Sequence, residues 1–323
     1  MRARLLRILA EPWAGPLLAL VVVYLVFAAL TPATFLQPIA LEMMARHTVV
    51  VALAAIGMTL VIVEGGIDLS VGSVVALVTV VTARALKSGS SPIVAVLIGV
   101  ATGVIAGALN GSLVSLLRIT PFIVTLGTMS VLRGLAKGLA NEQKIDADTR
   151  AIEPLMDVVP RGSLRVLPYG AWIAASLAVV ATVVLQRTRF GRHVVAVGSS
   201  TPTARLAGIS IPRVTVLVYA LAGLLAGIAG VLELATLSVG DPTDSIGLEL
   251  KVIAAVVIGG GSLSGGQGSI AGSLIGAMLM TVIATGATHL GIANWIQEIL
   301  TGLIIVIAVT LDAYRARRPR SVL

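Results

Sequence analysis

Two glycine-rich stretches interrupt the apolar segments of this chain and carry polar groups that could act on a solute. Residues 64–73 include Gly65, Gly66, Asp68 and Ser70, and residues 259–269 include Gly259, Gly260, Gly261, Ser264 and Gly265. Such glycines allow either close helix packing and tight turns, or a passage lined by backbone N–H and C=O groups. Paired glycine interruptions between apolar helices also point to an internal repeat and a transport path. The sequence leaves these interpretations open.

Asp68 and Glu64 flank the Gly65-Gly66 pair near the end of an apolar segment. A charged group inside hydrocarbon costs at least about 2.5–3.5 kcal/mol, so an acid at that depth is a candidate for a gate or a path. At the membrane interface the cost largely disappears, and Asp68 then caps a helix that begins near Ser70 or Val71. Both roles remain candidates.

Three further charged residues fall within apolar segments. Arg133 and Lys137 lie four residues apart, on one helix face, and Glu233 lies late in another segment. Long basic side chains near a span end usually extend to the lipid headgroups or pair with another group. We expect all three residues to behave in this way. Contact with a substrate or a partner is the alternative.

The residue inventory excludes several kinds of chemistry. The chain has no cysteine, so disulfides and thiolate chemistry are absent. His47, His193 and His289 are scattered without metal-ligand spacing, which predicts no metal site. The stretch 259–269 lacks the Gly-Lys-Ser/Thr ending of a phosphate-binding loop, and no strand is predicted before it. We therefore expect no catalytic residue, no nucleotide site and no cofactor bound by this chain.

The basic loop 187–213 contains the sharpest local signal. Thr201 is predicted as an N-cap, Pro202 as the first helical residue and Gly208 as the left-handed residue after the helix. The other residues that we assign to this helix and its coupling role are Thr203, Arg205 and Leu206. A helix of about six residues is too short to be stable alone, so it needs a docking surface. The alternative is a solvated loop whose arginines only set the topology.

The elements that carry these residues are apolar helices. Hydrophobic residues make up 57% of the 323 residues and charged residues only 12%, against about 45–50% and about 25% in soluble domains. We identify about ten hydrophobic segments: 13–30, 48–63, 71–86, 92–117, 121–140, 168–186, 214–237, 250–261, 269–289 and 292–311. The segment 250–261 is too short to span alone, so it borrows from its flanks or is a broken helix. The sequence predicts one all-α membrane domain over 1–323.

The formal net charge of +8 is concentrated at the ends of apolar segments, in 2–7, 187–213 and 315–320. The positive-inside rule places such arginines in the cytoplasm. With an even number of spans, both termini are then cytoplasmic, and 141–167 and 238–249 lie outside. Aromatic residues, which would stack on bases, make up only 3%, so we expect no nucleic-acid partner.

Four ordered stretches carry a recognisable pattern. They read GMTLVI (57–62) running into GIDLSVGS (66–73), then TRFGR (188–192), ARLAGI (204–209), and IAAVVIGG (253–260) with SLSGG (262–266). The whole chain resembles the permease subunits of ribose/galactose-type bacterial ABC importers, which belong to the larger class of importer permeases. One departure is that the family usually shows Glu-Ala-Ala where this chain has Thr201-Pro202-Thr203, so the acid is missing.

The resemblance implies a homodimer, or a pair with a paralogous permease, in the bacterial inner membrane. It implies two cytoplasmic subunits that hydrolyse ATP with Mg, and a sugar-loaded periplasmic binding protein. The loop between the sixth and seventh spans, residues 201–208, would be a coupling helix in a groove of the ATPase. The glycine-rich stretches would form the path or gate for a monosaccharide that moves by alternating access.

Other transporter classes fit the sequence less well. A permease for branched-chain amino acids or nucleosides is the nearest alternative. A gradient-driven secondary transporter requires ionisable groups near mid-membrane, and most acids fall in predicted loops. A channel requires a charged or polar ring, and no span shows one.

Overall fold

The computed structural model describes residues 13–157 and 167–317. These ranges are mostly helical. The helices are α1 (Ala14–Leu30), α2 (Pro32–Phe35), α3 (Pro38–Glu64), α4 (Val71–Lys87), α5 (Pro92–Leu117), α6 (Pro121–Leu139), α7 (Tyr169–Arg187), α8 (Arg189–Ser199), α9 (Thr201–Leu206), α10 (Ile211–Leu237), α11 (Leu248–Ile258), α12 (Ile270–His289) and α13 (Asn294–Arg317). A 3₁₀ helix spans Glu153–Leu155, and two short strands are β1 (Ile145–Asp146) and β2 (Val239–Gly240).

The all-α membrane class is confirmed, because each predicted hydrophobic segment corresponds to one helix. Seven of the described helices are long and apolar enough to cross a membrane, namely α3, α5, α6, α7, α10, α12 and α13. Helix α1 is also apolar, but its 17 residues make it shorter than any of these seven. The 11 residues of α11 cover only about 16 Å, so this helix is as short as its sequence predicts.

Helix α3 begins at Pro38, ten residues before the predicted boundary at 48, and this boundary was wrong. The added turns contain Glu42 and Arg46, whose polarity hides the helix from a search for hydrophobic residues. Arg46 donates to Glu42 at 2.6 Å, and also to Asp157 at 3.2 Å. The side chain is therefore paired within the protein, which makes a charged start to the helix tolerable.

The core of the fold surrounds α3. Every residue from Val49 to Glu64 is buried, so no face of this stretch is available to lipid. Helices α7, α8, α10, α11 and α12 pack around it. Helix α13 is mostly exposed, and its apolar face can contact lipid directly.

Glycines allow α5 and α10 to pack backbone against backbone. Gly103 and Gly107 on α5 face Gly223 and Gly227 on α10, each pair four residues apart. A Cβ at Gly103 would lie 2.7 Å from the Gly227 Cα. Small residues at this spacing are how membrane helices approach closely. The abundance of glycine thus has a packing role in this interface.

The bundle has two distinct ends. At the sheet end, β1 and β2 pair antiparallel, with Ile145 opposite Gly240. At the other end, which we call the glycine end, the two glycine-rich stretches lie beside α8. Arg46 at the sheet end and Val63 at the glycine end are separated by about 26 Å of helix. The loops predicted to share one side, 141–167 and 238–249, meet through this sheet, away from 187–213.

The prediction that both termini are cytoplasmic rests partly on residues outside the described ranges. These are Arg2, Arg4, Arg7, Arg318 and Arg320. The orientation of the two ends relative to the cytoplasm therefore stays a prediction.

Candidate functional site

The two glycine-rich stretches meet at the glycine end. A Cβ at Gly265 would lie 3.0 Å from the Gly65 Cα and 2.7 Å from the Gly198 carbonyl oxygen. The Gly266 N–H donates to the Val63 carbonyl at 2.8 Å. Gly198 comes from α8, so three separate segments converge here. The structure thus joins the predicted path residues directly to the loop that carries the predicted coupling helix.

Gly65 and Gly66 serve different purposes at the end of α3. Gly65 has φ +92° and ends the helix, with its N–H donating to the Ile62 carbonyl at 2.9 Å. Gly66 makes room for a side chain, because a Cβ there would lie 2.6 Å from the Tyr219 hydroxyl oxygen. That hydroxyl is buried and has no hydrogen-bond partner in the part of the chain that the structure describes. Close packing is therefore the observed role of Gly66.

Asp68 is a buried anchor for the start of α4. Its Oδ1 accepts from the Ser70 N–H at 2.8 Å and from the Ser70 hydroxyl at 2.6 Å. The Asn110 side-chain amide on α5 donates to the same hydroxyl at 2.8 Å. Burial raises the pKa of Asp68, although the two bonds from Ser70 act to lower it. The structural hydrogen bond is therefore present, but Ser70, not Asp68, occupies the N-cap position.

Glu64, at the last position of α3, is also buried and bonded within the protein. Its Oε1 accepts a hydrogen bond from the Thr215 hydroxyl on α10. Together with Asp68, it places two carboxyl groups near Tyr219 inside the bundle. Both acids are buried within the protein, and a role for Asp68 in a gate stays a prediction.

The second glycine-rich stretch forms the turn between α11 and α12. Gly260 has φ +92°, and a Cβ at Gly261 would lie 2.6 Å from a Val256 methyl group. Gly259 lies against the backbone of Gly272 with no room for a side chain. Packing and turn formation therefore account for these three glycines, while a passage lined by them stays a prediction.

An acid on the last helix holds this turn in place. The Asp312 Oδ2 accepts from the Leu263 N–H at 3.1 Å and from the Ser262 hydroxyl at 3.2 Å. The Ser262 hydroxyl also lies 2.8 Å from that of Ser264, a predicted path residue whose surface is exposed. The turn is thus tied to α13 as well as to α3.

The predicted coupling helix exists as the six-residue α9, but its N-cap is Ser200 and not Thr201. Ser200 Oγ accepts from the Thr203 N–H at 3.4 Å. Thr201 is the first helical residue, and its hydroxyl donates to the Val197 carbonyl at 3.1 Å. Pro202 therefore stands second rather than first in the helix. The correction arises because serine and threonine both cap helices, and Ser200 has the extended backbone that a cap needs.

The end of α9 matches its prediction. Gly208 has φ +78°, its N–H donates to the Arg205 carbonyl at 3.0 Å, and the Ile209 N–H donates to the Ala204 carbonyl at 3.1 Å. This pair of bonds is a Schellman motif. Ala204 is 2% exposed and Leu206 is 90% exposed. One side of α9 therefore docks on the protein, and the rest is open to a partner.

Helix α8 was missed by the sequence analysis, which treated its residues as loop. Thr188 caps it by accepting from the Gly191 N–H at 3.1 Å. Val194 and Val197 are buried on one face. A threonine cap followed by apolar residues at helical spacing was the available signal. Because α8 carries Gly198 and directly precedes α9, it is the physical link between them.

The sheet end decides between the two alternatives for Arg133, which pairs within the protein, and corrects the interpretation of Glu233. Arg133 does not extend to headgroups, because its guanidinium donates to the carbonyls of Pro242 at 2.9 Å and Asp244 at 2.6 Å. Glu233 is 7% exposed and lines a polar cleft together with Asp244, Lys251, Thr281 and Thr285. Lys137 is exposed, as expected. The sequence could not show that α6 and the loop after β2 cover these positions.

Two of the three histidines line the same cleft, and the third lies elsewhere. His47 and His289 both line the polar cleft, His289 also makes an edge contact with Phe35, and His193 is exposed on α8. Within 13–157 and 167–317, no three His, Asp or Glu side chains converge as a metal-binding group.

Comparison with known proteins gives consistent matches. The family described as "Branched-chain amino acid transport system / permease component" matches residues 40–309. The chain is 37% identical over 303 residues to the ribose import permease protein of Bacillus subtilis (strain 168), covering 92% of both chains. It is 38% identical over 296 residues to the ribose import permease protein of Escherichia coli (strain K12), again covering 92% of both.

The L-arabinose ABC transporter permease protein of Azospirillum brasilense is 36% identical over 305 residues, covering 94% of this chain and 89% of that protein. No solved structure matches the chain.

Proposed function

This chain belongs to the family of branched-chain amino acid transport system permease components, and we propose that it is the membrane-spanning permease subunit of an ATP-driven monosaccharide importer. The observation that carries the proposal is its similarity to ribose import permeases over 92% of both chains. The L-arabinose permease extends the same similarity to a second pentose. A pentose, hexose or related polyol is therefore the proposed substrate class.

The glycine end supplies a mechanical route for coupling. An ATPase that binds α9 would also move α8, because the two helices are consecutive and α9 packs on the rest of the protein through the buried Ala204. Helix α8 contacts Gly65 and Gly265 through Gly198. Movement there changes the relative positions of α3 and the α11–α12 turn. Since these elements hold the buried Asp68 and the central helix, the path between them would open or close.

A permease that is coupled in this way requires partner proteins. ATP with Mg would be hydrolysed in a separate cytoplasmic subunit, and the sugar would be delivered by a periplasmic binding protein. A second permease copy would complete the passage, as the family resemblance implies. The glycine end would face the cytoplasm, because the basic residues of 187–213 lie there. Residues Thr201 to Gly208 would engage the ATPase.

Two other functions remain alternatives. The family description names branched-chain amino acids, but the relatives compared above are named for sugars. The buried acids Glu64, Asp68 and Glu233 are groups that a gradient-driven carrier could use. Against this, similarity to ABC permeases covers nearly the whole chain.

Reconstitution distinguishes these possibilities. Proteoliposomes would contain the chain alone, or the chain with the ATPase and binding protein encoded beside it, and would be offered D-ribose, L-arabinose, leucine or a nucleoside. We expect uptake of a sugar, and only in the complete system with ATP. Uptake by the chain alone under a proton or sodium gradient would establish a secondary transporter. Uptake of leucine or a nucleoside instead of a sugar would establish the other importer class.

A further inference from the structure

A polar cleft at the sheet end has no part in the coupling described above. It measures about 710 Å³, within the range of about 300–1,000 Å³ that small-ligand sites occupy. Its wall includes Glu233 from α10, Lys251 from α11, Thr281 and Thr285 from α12, and Asp244 from the loop after β2. Three helices and a loop therefore direct polar groups to one place, beside α3.

Glu233 is the buried acceptor of this cleft. It is 7% exposed, and its Oε2 has no hydrogen-bond partner among the described residues. Lys251 and Asp244 line the same cleft, yet the structure records no ion pair between Glu233 and Lys251 across it. An unsatisfied buried carboxyl group is unfavourable, and natural proteins keep such groups mainly for function.

The wall of the cleft is held in position from outside. Arg133 binds the Pro242 and Asp244 carbonyls. Lys144 forms an ion pair with Asp241 at 3.1 Å, beside the β1–β2 pair. These bonds fix the loop after β2 to α6 and to the segment around β1. The cleft is therefore a shaped site with a supported wall rather than a gap between mobile loops.

The chemistry of the cleft matches a polyol. Sugar hydroxyls both donate and accept, so they suit a carboxylate, an ammonium group and threonine hydroxyls in one small space. Val50 and Met280 add apolar surface for the C–H groups of a sugar ring. Among the described residues, no Phe, Tyr or Trp lines the cleft, so a bound sugar lacks an aromatic platform and can leave again.

We propose that this cleft is the site where the sugar first binds the permease, with Glu233 accepting a hydrogen bond from a sugar hydroxyl. The assignment rests on the proposed function, because a monosaccharide is the ligand whose size and hydrogen-bonding groups fit. Lys251 and Asp244 complete the polar wall, and Glu233 holds the buried end of the site.

The test uses the complete transporter, with its ATPase and binding protein, and labelled D-ribose and L-arabinose. Glu233→Met removes the buried carboxyl group at similar length, so thermal stability should be retained or raised. Sugar uptake should fall by about tenfold, because the hydrogen bond between a sugar hydroxyl and the buried Glu233 carboxyl group is lost. Glu233→Gln keeps one acceptor and should restore part of the uptake. Glu298→Gln, at an exposed position of α13, is the matched control and should transport normally.

A second readout does not depend on a Glu233 variant. The chain has no cysteine, so Thr285→Cys can be labelled alone with a small methanethiosulfonate reagent. A high concentration of D-ribose or L-arabinose should slow that labelling, and should leave Gln143→Cys, outside the cleft, unaffected.

Wild-type uptake by Glu233→Met, or labelling of Thr285→Cys that neither sugar slows, would overturn this site while leaving the importer assignment intact. A wild-type complex that takes up no monosaccharide would instead overturn the proposed function, and the site with it.

Discussion

Gly265 and Gly65 lie so close that a Cβ on Gly265 would stand 3.0 Å from the Gly65 Cα. They come from opposite halves of the chain, and Gly198 of α8 contacts both of them. Three glycines therefore form a single joint between the central helix, the α11–α12 turn and the segment that precedes α9. A joint made of backbone atoms has no flexible side chains to absorb an added methyl group.

The joint can be tested with Gly198→Ala. A methyl group there would meet the backbone of Val63 and Gly266, so we expect the free energy of unfolding to fall by about 1–3 kcal/mol and transport to be lost. Thermal unfolding in detergent and sugar uptake measure the two effects. Gly127→Ala is the control, because Gly127 is helical with nothing within 4 Å, and it should be neutral or stabilising. If the two variants have equal stability and equal sugar uptake, the three-glycine contact can accommodate an added methyl group.

The stiffness of α9 can be tested with Gly208→Val. Gly208 has φ +78° and nothing within 4 Å of its Cβ position, so the valine strains only the backbone, by about 1–2 kcal/mol or more. Gly89→Val is matched, since Gly89 has φ +86° and equally open space at the far end of α4. We expect similar losses of stability, but loss of transport and of stimulated ATP hydrolysis only for Gly208→Val. If both variants transport equally well, α9 is not a coupling helix, and the arginines of 187–213 only set the membrane topology.

The charge of α9 can be tested with Arg205→Glu. Arg205 is exposed on a helix that docks through Ala204, so the reversal should leave the fold unchanged. We expect weaker association with the ATPase, because an acidic groove would then face a like charge. Co-purification of the two subunits is the measurement. Undiminished association would mean that Arg205 is not at the contact.

The membrane orientation can be tested by labelling single cysteines in this cysteine-free chain. Ser163 lies outside the described residues, so Gln143, exposed at the sheet end, is the better outer position. Ser199, exposed at the end of α8, is the inner one. We expect a membrane-impermeant reagent to label Gln143→Cys in intact cells, and Ser199→Cys only after the membrane is opened. Labelling of both from one side would overturn the topology.

The role of Asp68 can be tested by comparing Asp68→Asn with Asp68→Ala. Asparagine keeps the Oδ1 that accepts from Ser70, whereas alanine leaves those donors unpaired, at a cost of about 1–3 kcal/mol. If Asp68 is only an anchor, Asp68→Asn should fold and transport within about twofold of the wild type, a change worth under 1 kcal/mol. If Asp68→Asn folds but does not transport, the ionisable group of Asp68 is required for transport, as a gate residue would be.

Asp68 also predicts a pH dependence. Burial raises its pKa in the folded protein above the value of about 3.9 for a free side chain. Between those two values the folded state binds more protons than the unfolded state, so the stability contributed by this group falls as pH rises. Asp68→Asn should lose that part of the pH dependence in thermal unfolding. An unchanged profile would mean that the carboxyl group is not buried as described.

The sequence determined the secondary structure and the membrane class, because both depend on local composition. Apolar runs predicted the ten apolar helices to within a few residues, except where Glu42 and Arg46 concealed the start of α3, and they missed the short α8. The end of α9 was also predictable, since a glycine with positive φ and a Schellman motif are local features. Its N-cap was placed one residue late, because Ser200 and Thr201 are chemically alike.

The tertiary structure decided how distant residues are used. Whether Glu233 extends to headgroups or lines a cleft depends on the helices that surround it, and its own sequence neighbours do not specify them. Likewise, Gly198 carried no signal of its own. It became part of a joint only because α3 and the α11–α12 turn end at the same place. Burial and backbone contact are properties of neighbours brought together by folding, so a single sequence does not contain them.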